Sequence, residues 1–160
     1  MKEVKIETTL QVFDNISDLA EDVQSLMSKA SEARNNAYAP YSKFSVGAAL
    51  LLDNGEIVTG SNQENASYPS GLCAERTAIY YAGAKYPKAK FVKMAIIAGS
   101  QVHPTLTPIP PCGACRQAIA EYEVKQDIPI ELFFMGETGK VVRSNSLANL
   151  LPLIFDKSAL

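Results

Sequence analysis

The three cysteines of this chain fall in two short stretches, GLCAERTAI at 71–79 and PPCGACRQ at 110–117. Each stretch reads as the opening of a helix. Cys112 and Cys115 form a C-x-x-C pair behind Pro111, a residue favoured at a helix start. Three residues apart in a first turn, both sulfurs can face one point. Taken alone, the pair admits a redox dithiol, half of a zinc knuckle, or two small buried residues. Cys73 sits at the other helix start. Helix N-termini stabilise thiolates through free N–H groups and the helix dipole, and three thiolates converging there would bind Zn²⁺ well.

The ligand count separates structure from chemistry. A structural zinc site has four protein ligands, whereas a catalytic one has three and keeps a position for water. His103, the only histidine, is the candidate fourth ligand, but a histidine beside proline in the loop QVHPTLTPIP reads better as a solvated turn residue. Cys73, Cys112 and Cys115 with one water then make a catalytic set. Three thiolates leave the metal with a net negative charge. Arg76 and Arg116, one beside each cysteine segment, are placed to withdraw some of it. Glu75 in the first turn of its helix supplies a general base that can later return the proton.

The elements that must position these groups are readable in outline. Val4, Ile6, Thr8, Leu10 and Val12 alternate as on a strand over 4–12. Ser17 or Asp18 can cap a helix whose apolar spacing runs from Leu19 to Ala37 and ends at Ala39-Pro40. FSVGAALLL at 44–52 is an apolar strand; Asn54-Gly55 marks a hairpin, and 56–62 returns. Further helices are expected at about 72–84 and 112–122, strands at 91–99, 130–136 and 140–143, and a helical patch near 147–151. Strands interleaved with helices give an α/β or α+β fold with a mixed sheet and helices on its faces. No repeat or linker divides the 160 residues, so a single domain is expected.

Composition narrows the partners. At 47% apolar and 20% charged the chain is an ordinary globular one. A net charge of −2 and a pI near 5.4, with the basic residues dispersed, argue against a nucleic-acid partner. The longest apolar run falls short of a membrane span. The opening residues carry scattered charge and no apolar core of a signal peptide. Three cysteines cannot all pair within one chain, which favours a reducing, cytoplasmic location.

Cys73-Ala74-Glu75 and Pro111-Cys112-Gly113-Ala114-Cys115 join the C-x-E and P-C-x-x-C parts of the zinc deaminase signature. With YSKFSVGAAL, the hairpin, GSNQENASYPSGLCAERTAI and LLPLIF in the same order, residues 18–155 resemble the cytidine deaminases of the short, homotetrameric type, in the cytidine and deoxycytidylate deaminase superfamily. That resemblance implies a three-layer α/β/α sandwich with a roughly five-stranded mixed sheet. It implies one Zn²⁺ per subunit on Cys73, Cys112 and Cys115, with Glu75 moving the proton as metal-activated water attacks C4 of cytidine or deoxycytidine. Asn62 and Glu64 would bind the ribose hydroxyls, Phe44 would pack on the pyrimidine, and the Ala74 N–H would meet the 2-oxygen. Arg76 would bond cysteine sulfurs, and Phe155 would reach a neighbouring subunit's site. Related readings are a blasticidin-type deaminase, against which the N-x-E-N segment speaks, and a zinc-stabilised structural protein, which needs a fourth ligand. Pro110 stands where relatives often have serine and the tail DKSAL differs from theirs. Residues 1–16 extend beyond the shared core as an added edge strand or an intersubunit contact.

Overall fold

A computed structural model describes all 160 residues. In chain order the elements are β1 (Gln11–Phe13), α1 (Glu21–Arg34), β2 (Phe44–Leu52), β3 (Ile57–Ser61), α2 (Ala74–Lys85), β4 (Phe91–Ser100), α3 (Gly113–Gln126), β5 (Glu131–Met135) and β6 (Val141–Ser144), with short 3-10 turns between and after them. The strands make one sheet in the order β1-β6-β5-β4-β2-β3. Only β4 and β5 run parallel, bridged by α3. All other neighbours are antiparallel.

The three layers follow from strand alternation. Ala48, Leu50, Met94, Ile96, Leu132 and Phe134 face α2 and α3. Their intervening neighbours Ala49, Ala95, Ile97, Phe133 and Met135 face α1. A strand covered on both sides needs apolar residues at every position rather than every second one, which is why β2, β4 and β5 read as unbroken apolar runs. Each fully buried Leu or Ile here contributes roughly 1.5–3 kcal/mol relative to exposure.

Several boundaries differ from the sequence expectations. The sheet has six strands rather than about five, because β1 adds to the outside of β6. Of the alternating segment 4–12 only its end pairs, since β6 is four residues long and offers partners to Gln11, Val12 and Phe13 alone. Asp18 does not cap α1. Its carboxylate accepts from the Asn15 N–H at 3.0 Å and closes a separate 3-10 turn, while Ala20 stands at the N-cap of α1. That helix stops at Arg34, short of Pro40, where Asn35 and Asn36 are weak helix formers. In contrast α3 runs a full turn further than expected, to Gln126.

Candidate active site

Helices α2 and α3 lie on the same face of the sheet, sharing one apolar cluster, with their N-termini at a common end. Cys73 is the N-cap of α2 and Cys112 the N-cap of α3, both in extended backbone. Cys115 is buried in the first turn of α3. The three sulfurs lie within 4.8 Å of one another, Cys73 and Cys112 at 3.8 Å. Gly60 of β3 permits this placement. A β carbon there would stand 2.5 Å from the Ala74 carbonyl oxygen and 2.7 Å from the Ala78 nitrogen, so only glycine lets the first turn of α2 rest on the sheet.

The sulfurs are electrostatically interdependent. The Cys115 thiol beside it and then the Arg76 guanidinium bring Cys73 down to about 5. Cys115 moves the other way: its hydrogen bond to Cys73 and its burial raise it. One thiolate is easily held alone; three at this spacing require a dication between them. No fourth His, Cys, Asp or Glu joins the group, and His103 is exposed in its loop. The donor set fits zinc with three protein ligands, the arrangement that leaves a coordination position for chemistry.

Glu75, the second residue of α2, is 4% exposed. Burial pushes its carboxyl up to about 6, with the nearby Cys73 thiolate adding to the rise. Ala74 is buried as the first residue of α2, where a backbone N–H has no intrahelical acceptor. Arg76 donates from Nη2 to the Cys73 sulfur at 3.7 Å, and its buried Nε has no partner. Arg116 does not share that task. Its Nε donates to the Pro111 carbonyl at 2.8 Å and its Nη1 to the Leu150 carbonyl at 2.9 Å, because in α3 it points back along the entering loop rather than at the sulfurs. Tempering of thiolate charge falls to Arg76.

A cavity of about 430 Å³ opens beside Cys73. Its wall includes Tyr41, Asn62, Glu64, Tyr68 and Arg76. Asn62, 9% exposed, is bonded on both sides: Oδ1 accepts from Val46 N–H at 2.8 Å and Nδ2 donates to the Phe44 carbonyl at 2.9 Å. One amide proton remains for a ligand. Glu64 accepts from the Tyr41 and Ser42 N–H groups on Oε2 at 3.0 and 3.3 Å, which leaves Oε1 free. The Ser42 side chain, ahead of the two backbone N–H groups, leads the causes that lower its carboxyl below the usual range. Phe44 starts β2 half-buried, and neither it nor Glu75 forms part of the cavity wall. Phe155 lies apart, 63% exposed, its carbonyl taken by Gln117 at 2.7 Å. Sequence reasoning passed over Tyr41, Ser42 and Tyr68. Their signal was the clustering of tyrosine with proline and glycine in YAPYSK and SYPSG, loop chemistry without periodicity.

Residues 20–129 match the family model described as the cytidine and deoxycytidylate deaminase zinc-binding region. The chain belongs to the cytidine and deoxycytidylate deaminase family. The cytidine deaminase of Halalkalibacterium halodurans is 48% identical over 134 residues, 84% of this chain and 94% of that protein. That of Sporosarcina psychrophila is 39% identical over 139 residues, 87% of this chain and 95% of its own. Among solved structures, the cytidine deaminase from Burkholderia pseudomallei superposes with a TM-score of 0.71 at 37% identity, covering 86% of this chain and all of that one. The deaminase fold thus places both cysteine segments at one end of the sheet, and the family description and the cysteine trio agree on zinc.

Proposed function

We propose that the chain, read as one domain with residues 1–16 as an extension, hydrolyses cytidine and deoxycytidine to uridine and deoxyuridine with release of ammonia. One observation carries the reading: three converging sulfurs with no fourth protein ligand, and a buried carboxyl, Glu75, two residues along α2 from one of them, Cys73. Cys73, Cys112 and Cys115 would hold one zinc ion per chain, and that ion, when bound, supplies a polarised water of lowered pKa. Glu75 accepts the water proton as oxygen adds at C4. Its carboxyl, raised by burial to about 6, can hold that proton near neutral pH and pass it to ring N3; it then takes the second proton from the oxygen added at C4 and delivers it to the amine as the C4–N bond breaks. Arg76 draws charge from the Cys73 sulfur. Asn62 and Glu64 present one free amide proton and one free carboxylate oxygen to the ribose hydroxyls. The Ala74 N–H meets the 2-oxygen, and Phe44 packs on the ring. The exposed Phe155 ring reaches a neighbouring site in a homotetramer. Three free cysteines support a reducing, cytoplasmic location, and no helix is long and apolar enough to cross a membrane.

The test is ultraviolet loss of cytidine with wild type and Glu75→Ala. We expect turnover by wild type and a loss of about 10²–10⁴-fold or more in the variant, with bound zinc unchanged. A wild-type protein loaded with zinc that releases no ammonia from either nucleoside defeats the reading.

A further inference from the structure

The three sulfurs are not equally supported. Cys115 is buried by the packing of α3, and Cys73 caps a helix seated on Gly60. Cys112 is exposed, and a β carbon at the next residue, Gly113, would meet nothing within 4 Å. Apart from its 3.8 Å approach to the Cys73 sulfur, the exposed Cys112 side chain is held less by packing than that of Cys115, and its direction depends on the two peptide planes that flank its α carbon. Arg116 holds both. Its side chain donates to the Pro111 carbonyl at 2.8 Å, and its backbone N–H donates to the Cys112 carbonyl at 2.9 Å.

The same guanidinium reaches Leu150, at the end of a 3-10 turn that Glu123 of α3 anchors through Ser146 Oγ at 2.6 Å and the Leu147 N–H at 2.9 Å. The loop into Cys112 is therefore pinned against a segment that is itself fastened to α3. Arg116 enters no ion pair and carries its charge in the first turn of a helix, where the dipole disfavours it. Its hydrogen-bond reach, not its charge, explains the placement.

We propose that Arg116 is a positioning residue for the metal site: it orients the Cys112 sulfur by clamping the Pro111 carbonyl to the segment ending at Leu150. This rests on the zinc reading above. The experiment uses the zinc-loaded protein, wild type against Arg116→Gln, Arg116→Lys and Gln117→Ala. Zinc affinity is read by competition with a colorimetric chelator. Alkylation of each cysteine by iodoacetamide, in saturating zinc, is mapped by mass spectrometry. Arg116→Gln is expected to weaken zinc about 10–100-fold, with Cys112 alkylated while Cys73 stays protected. Arg116→Lys should fall between, since one ammonium does not span both carbonyls, and it carries the test if the glutamine variant is insoluble. Gln117→Ala, which loses only the tether to Phe155, should match wild type. Wild-type affinity in Arg116→Gln overturns the proposal, as does joint alkylation of Cys73 and Cys112, which is collapse of the whole site. A wild type that takes up no zinc overturns the zinc reading itself and this proposal with it.

Discussion

Asn62 shows how one side chain serves both architecture and site. Its amide bonds the start of β2 from within the cavity wall, to Val46 and to Phe44. Asn62→Ala leaves two part-buried backbone groups without their side-chain partner, at about 1 kcal/mol each. Calorimetry should show a lowered Tm, and steady-state kinetics a KM that rises by more than kcat falls. A variant with wild-type Tm would mean that the brace is dispensable. At this scale the convergence of the three cysteines was legible in the sequence because both segments stand at helix starts. The bracing role of Asn62 was not, because a polar loop residue announces nothing about its partners. Arg116 was misjudged for a related reason: sequence adjacency to Cys115 suggested the sulfurs, whereas the turn of the helix aims its guanidinium at Pro111 and Leu150.

The start of α2 matters as an element because Gly60 of β3 sets its height above the sheet. Gly60→Ala should force α2 away from β3, destabilising by roughly 1–3 kcal/mol through overpacking and reducing bound zinc. Gly55→Ala is the contrasting variant. Gly55 has φ +84° with open space around it, so alanine there should cost about 1–2 kcal/mol of backbone strain and leave zinc content unchanged. Metal analysis and thermal melts of both variants decide the matter; equal zinc in both would remove Gly60 from the account. Hydrophobic periodicity revealed the elements because burial on one or two faces dictates it, as in β2 and β4. It misplaced their ends. Capping and fraying depend on a few polar contacts, such as the Asn15–Asp18 bond, that periodicity does not register.

For the whole molecule, the sheet order and the two-sided core could be anticipated in class but not in detail. The neighbours β1 and β6 are separated by nearly the whole chain, and no local pattern pairs them. Phe13 packs against the α1-side core, whereas residues 1–10 are exposed. Deleting residues 1–10 should leave Tm within about 1 °C, while deleting 1–13 should lower it by about 2–4 °C for each kcal/mol of packing lost. If both deletions behave alike, β1 contributes nothing to the stability of the sheet edge.

That edge pairing also imposes an order in time. Gln11 lies opposite Arg143, so β1 finds its partner only after every other strand of the sheet has been made. Domains grow at about 5–20 residues per second, and closing so long a loop carries an entropic cost that local contacts do not. The hairpin and the two cysteine-bearing helices can therefore assemble while β1 still waits. On the nascent chain, ability to capture metal should precede completion of the sheet.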